Sequence, residues 1–179
     1  MQKKYEQAIK ETFAELNQII EERRELAKNP ELPLSFYADA TFFKVYMSDV
    51  GLLRKKSGVS YKVILEDSDL YKNFKGAFTE NFVLNELIKL NIHPYYWNSG
   101  NTAELDFIFE YEDKVIPVEA KADVHTRAKS YGLYCKRYNP KTGFKFSMKN
   151  VGSNKVDETT TYSIPLYLIW MIKKYLNAN

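Results

Sequence analysis

The sequence predicts an α/β (α+β) domain built on a central mixed sheet. Three observations carry that prediction. Helical and strand periodicities alternate along the chain. An acidic two-residue turn joins two strands that share a face apolar except for Lys114 at its tip. Aromatic residues, which favour strands and large cores, make up 15% of the 179 residues, with 14 Tyr and 11 Phe. The length suits one domain with an appendage and can bury a core without staples. Apolar residues at 45% and charged residues at 27% exclude wholesale disorder.

Taken in order, residues 2–28 predict one amphipathic helix, because Tyr5, Ile9, Phe13, Leu16 and Ile20 recur every three or four positions. Such a stripe packs on its own domain or pairs two copies as a homodimer. Asn29-Pro30-Glu31-Leu32-Pro33 stops it. The chain thus divides into a helix at 1–28, a Pro-containing linker at 29–35 and a main domain at 36–179. Within the last, 36–53 is mixed in pattern, with FFKVYMSDVGLL (42–53) read as helical and Gly51 and Gly58 punctuating its end. A clear helix follows at 74–90, then a short strand at Tyr95-Tyr96-Trp97 and a turn at 98–101. Strands are predicted at 103–111 and 115–122, a helix at 126–138 ended by Asn139-Pro140, and a strand at 144–148. A polar loop at 150–161 and a buried helix at 164–176 complete the chain.

Several functions drop out. The single cysteine, Cys135, makes neither an internal disulfide nor a Cys-rich zinc site, and suits a reducing compartment. His93 and His125 form no HExxH. No G-x4-G-K-[ST] loop is present, so the chain carries no ATP site of that kind. The first twenty residues are charged and the longest apolar run is too short for a bilayer, so a cytoplasmic protein without a membrane partner is expected.

The strands at 103–111 and 115–122 carry the most informative residues. A turn at Glu112-Asp113 pairs Tyr111 with Lys114 and fixes the register. Leu105, Phe107, Phe109 and Tyr111 then share a face with Ile116, Val118 and Ala120. The other face brings Asp106 opposite Glu119 and Glu104 opposite Lys121, with Cβ atoms roughly 5 Å apart. Two carboxylates that close repel each other unless a cation lies between them. Mg²⁺ (or Mn²⁺) needs only one or two protein carboxylates and keeps waters for substrate. Lys121, two residues from Glu119, shares its face and can orient or deprotonate a water. A solvated sheet face with a neutralising lysine is the plainer reading of the same residues.

On the helix at 74–90, Glu80 falls in an apolar arc with Ala77, Val83, Leu84, Leu87 and Ile88. A carboxylate there is costly unless paired or metal-bound, by a lysine such as Lys121 or by an ion. Glu80, then Asp106, then Glu119-Ala120-Lys121 resembles the PD-(D/E)xK nuclease signature. The element order helix, three strands, helix, strand is similar to that restriction-endonuclease-like core.

A closer resemblance covers about residues 32–176. The blocks FFKVYMSDVGLL (42–53), GAFTENFVLNEL (76–87), the whole of 95–122, KSYGLY (129–134), FSMKN (146–150) and IPLYLIWMI (164–172) carry it. They resemble an uncharacterised C-terminal domain that follows an AAA-type ATPase domain in prokaryotic predicted ATPases. The ATPase half is missing here, so such a partner would act in trans. The resemblance implies metal ligation by Asp106, Glu119, the Ala120 carbonyl and Glu80, and a catalytic role for Lys121.

Charge segregates to match. Residues 101–120 set six carboxylates against Lys114, and residues 121–150 set eight cations against Asp123. Acid would bind metal, and Arg127, Lys129, Lys136, Arg137 and Lys145 would bind nucleic-acid phosphate. Tyr131 and Tyr134 would stack on bases or pack the core. Two functions follow: a Mg²⁺-dependent phosphodiesterase acting on nucleic acid, or an inactive module that binds nucleic acid or docks a protein.

Overall fold

The computed structural model describes residues 21–62, 72–100, 102–123 and 128–177. They form a mixed α/β fold on an eight-stranded sheet of order β2-β1-β3-β4-β5-β6-β8-β7. The elements run β1 (Glu21–Ala27), α1 (Leu34–Tyr37), β2 (Ala38–Met47), α2 (Val50–Ser57), α3 (Lys72–Lys89), β3 (Tyr95–Asn98), β4 (Glu104–Tyr111) and β5 (Lys114–Ala120). Then follow α4 (Lys129–Tyr138), β6 (Thr142–Ser147), β7 (Gly152–Val156), β8 (Thr159–Pro165), a 3-10 helix (Leu166–Met171) and α5 (Ile172–Leu176). Among the described residues no helix is long and apolar enough to cross a membrane.

Each face of the sheet carries an apolar core. Val83, Leu84 and Leu87 of α3 and Ile169 and Ile172 pack on Phe107, Phe109, Ile116, Val118, Phe144 and Phe146. Successive strand residues point to opposite faces, so Ile108 joins the other core, with Trp97, Leu105 and the α4 residues Tyr131, Tyr134 and Cys135. Tyr131 and Tyr134 are therefore core residues. Burying a side chain of this size contributes about 1.5–3 kcal/mol.

Strand direction gathers the site. β5, β6 and β8 run parallel, so their carboxyl ends share one edge of the sheet. β4 is antiparallel to β5 and begins at that edge. The β4–β5 register follows the pattern read from the sequence, from Tyr111↔Lys114 to Phe107↔Val118. Glu112, at φ 51°, supplies the left-handed residue such a two-residue loop needs.

One residue breaks the predicted alternation. Against β3, Ile108 pairs with Tyr95 but Leu105 with Trp97, so Asp106 and Phe107 together oppose Tyr96. This β-bulge turns Leu105 into the α4 core, while Phe107 stays in the α3 core. Asp106 is re-aimed in the process.

Four other expectations are corrected. Residues 21–27 form a strand rather than the end of a helix, because they find register partners from Glu21↔Met47 to Ala27↔Ala38; the stripe at 5–20 lies outside the described residues. Residues 42–47 belong to β2, and of the helix expected at 42–53 only 50–53 are helical, within α2, which is capped by the Asp49 carboxylate and by Gly58 at φ 69°. The polar 150–161 loop is a hairpin, β7–β8, with Asp157 at φ 51° in its two-residue turn. Ile164 and Pro165 end β8, and the apolar run beyond them splits into a 3-10 helix and α5.

Candidate functional site

Glu119, Ala120 and Lys121 stand at the carboxyl end of β5. Glu119 is only 3% exposed. Its Oε1 lies 2.5 Å from Lys121 Nζ, while its buried Oε2 has no hydrogen-bond partner. A lone buried carboxylate oxygen is costly to leave unmatched. Asp106, re-aimed by the bulge, accepts a hydrogen bond from the Ala120 amide at 2.8 Å. Lys121 therefore serves Glu119, and does not pair across the strands with Glu104 or hold Glu80.

Glu80 is held by residues that the sequence reading missed. Its Oε1 accepts from Lys44 Nζ at 3.1 Å and from Tyr46 Oη at 2.5 Å. Lys44 also pairs with Glu104. Lys44 and Tyr46 reach one helix because residues two apart on a strand share a face. Asn81 fixes the strand to α3: its side chain accepts from the Met47 amide and donates to the Met47 carbonyl, both at 2.8 Å. Once residues 42–47 read as a strand, the alternating Lys44 and Tyr46 would have been the signal.

The electrostatics follow from this crowding. Burial raises the Asp106 carboxyl well above its ordinary value, reinforced by Glu119 and Glu80 and opposed by the Ala120 amide and Lys121. Burial also raises Glu119, against the pull of Lys121 and Lys145. Burial alone would lower the Lys121 ammonium, but Glu119, Asp106 and Glu80 outweigh it and raise it. Lys44 is raised in the same way, its desolvation overcome by Glu80 and Glu104.

The predicted basic residues divide. Lys145 stands opposite Glu119 in the β5–β6 register, its Nζ 4.7 Å from the Tyr131 ring centroid. Burial lowers its ammonium, with Glu119 opposing. Lys129 opens α4 and is exposed. Lys136 and Arg137 are exposed in its last turn, about 10 Å further along the axis. Arg127 lies outside the described residues.

Among the described residues no three His, Cys, Asp or Glu side chains form a ready-made metal cage. Asp106 and Glu119 nonetheless suit a hard cation that asks for one or two carboxylates, and the unmatched Glu119 oxygen is what such an ion would satisfy. Glu80, already held by Lys44 and Tyr46, could serve such an ion only as an outer group. A cleft of about 360 Å³ beside it is lined by Lys44, Tyr46, Leu53, Ala77 and Asn81. A larger one of about 520 Å³ lies at the other end of the sheet, by Lys114, Tyr138 and Thr142, and is separate from the carboxylates.

No curated protein and no solved structure matches the chain. A family pattern does match, over residues 75–168, a span that holds Glu80, Asp106, Glu119 and Lys121 but neither Lys44 nor Tyr46. The chain accordingly belongs to the family described as "Domain of unknown function (DUF4143)".

Proposed function

We propose that this domain is a Mg²⁺- or Mn²⁺-dependent phosphodiesterase acting on DNA or another nucleic acid, the C-terminal module of an AAA-type ATPase system. The observation that carries the reading is the buried Glu119 carboxylate, half satisfied by Lys121, next to an Asp106 that burial and its neighbours make reluctant to ionise. The succession α3–β3–β4–β5–α4–β6 supports a restriction-endonuclease-like core.

Asp106, Glu119 and the Ala120 carbonyl would hold the ion. Bound there, a divalent cation lowers the pKa of a coordinated water and neutralises phosphate charge. Lys121, kept charged by three carboxylates, orients the attacking water and stabilises negative charge on the phosphorus centre. Lys44 and Tyr46 hold Glu80 beside them. Phosphate approaches between Lys121, Lys145 and Lys129.

The test is cleavage of single- and double-stranded DNA and RNA with Mg²⁺, Mn²⁺ or EDTA. Cleavage is expected only with metal, and Lys121→Met should slow it by about 10²-fold or more. Asp106→Asn and Glu119→Gln should abolish it. A pure, folded wild type that cleaves none of these substrates, or variants as active as wild type, would overturn the reading and leave a binding or docking module.

A further inference from the structure

Beyond the carboxylates, the same sheet edge carries exposed aromatic surface. β6 and β8 are in register from Thr142↔Thr160 to Ser147↔Pro165 and end together. Met148 and Lys149 follow the one, and the 3-10 helix follows the other. In that helix Ile169 is buried, and Leu166 and Leu168 are partly buried against the same core. Tyr167 and Trp170 remain outside, 73% and 61% exposed, with Met148 62% exposed nearby in the topology. The β8 end lies two strand spacings, about 10 Å, from the Ala120 end of β5.

The chain that leads into this surface is basic. From residue 124 to 156 the sequence carries eight Lys and Arg and no Asp or Glu. Asp157 and Glu158 fall in the β7–β8 turn, at the opposite end of β8. From 159 onward the charged side chains are Lys173 and Lys174. Solvated aromatic rings that follow a basic stretch of chain, about 10 Å from carboxylates that a bound cation would neutralise, suit a polyanion whose π-faces are unpaired. A duplex keeps its base faces stacked inside, so it would offer the rings little.

We propose that Tyr167 and Trp170 form a stacking platform for unpaired bases, with Lys149 on the backbone, so that the domain engages single-stranded nucleic acid or frayed ends. The ligand class rests on the phosphodiesterase reading, but the binding step needs no metal. Stacking supplies affinity without sequence readout, and the strand is held where its phosphates lead toward Lys145 and Lys121.

The test uses the full chain in EDTA, where turnover cannot occur, with an oligothymidylate probe. The sequence has two tryptophans, and Trp97 is fully buried, so fluorescence quenching by the probe reports on Trp170. Quenching by the single strand is expected. Tyr167→Ala and Trp170→Ala should each weaken binding about tenfold, while Trp170→Phe keeps most of it. Lys149→Ala should reduce the salt slope by about 1, which the aromatic variants should not.

Absence of quenching, unchanged affinity in Trp170→Ala, or a duplex of equal length binding as tightly would overturn the platform. Self-association that Trp170→Ala abolishes would assign the surface to a second copy and overturn it too. Tight, aromatic-dependent binding by a protein that never cleaves sustains the platform while sinking the catalytic reading. Metal-dependent cleavage untouched by the aromatic variants does the reverse.

Discussion

At the residue scale, the cost of the site falls on Asp106. Its folded carboxyl is raised above the ordinary 3.8 by burial and by Glu119 and Glu80, with Lys121 offsetting only part. For an acid whose folded value is raised, stability is fully present below pH 4 and is lost as pH rises through the folded value. Asp106→Asn removes the charge yet keeps an oxygen to accept from the Ala120 amide. The metal-free variant should match wild type near pH 4 and exceed it at pH 8. The gain at pH 8 should be at least about 1 kcal/mol, or roughly 2–4 °C in Tm. Thermal melts in EDTA across pH check this. A variant less stable than wild type throughout would mean that the carboxylate is structural, and that its neighbours do not repel it.

At the element scale, α4 is locked onto the sheet by contacts that leave no room at β6. A Cβ on Gly143 would collide with the Tyr131 hydroxyl and meet Pro117 Cγ at 2.9 Å. Tyr131 also bonds Thr161 across the sheet at 3.0 Å, and Lys145 rests on its ring. Gly143→Ala should therefore cost about 1–3 kcal/mol, measured by denaturant unfolding. An unchanged midpoint would show that α4 shifts freely. The elements also differ in how far local sequence reveals them. α3 and the β4–β5 hairpin were legible because their periodicities are internal, and the hairpin register alone put Asp106 near Glu119. The bulge was not legible, because Leu105 and Asp106 are reoriented by their pairing with β3. β1 was not legible either: EERRELA has helical composition, and its strand partners lie in β2 and at Tyr96. Reading 42–47 as helix pointed Lys44 and Tyr46 apart, which hid the cation and hydroxyl that hold Glu80. The β7–β8 hairpin was hidden by its polarity, although its Asp157-Glu158 turn echoes Glu112-Asp113.

At the scale of the whole molecule, the sheet is unevenly fastened. β6 and β8 share six register pairs, and β4 and β5 share five. β1 joins β3 through the single pair Leu26↔Tyr96. β2 leaves Phe42, Phe43 and Val45 exposed, and is tied to α3 by the two Asn81 bonds and by Lys44 and Tyr46 on Glu80. Segments with few buried contacts open at lower free energy than the global transition. The β1–β2 pair should thus exchange its amides by a sub-global opening, while β4, β5, β6 and β8 exchange only on global unfolding. Native-state hydrogen exchange resolved by mass spectrometry distinguishes the two. Asn81→Ala should speed exchange in β2 by about thirtyfold, since two buried hydrogen bonds at about 1 kcal/mol each are lost, and leave β5 and β6 unchanged. The same variant loosens the strand that carries Lys44 and Tyr46 without touching Asp106, Glu119 or Lys121. If Glu80 is an outer group, binding of Mn²⁺, read as a Tm shift, should survive Asn81→Ala. Uniform protection across all eight strands, or loss of the Mn²⁺ shift in this variant, would make β2 an integral wall of the site and not an appended one.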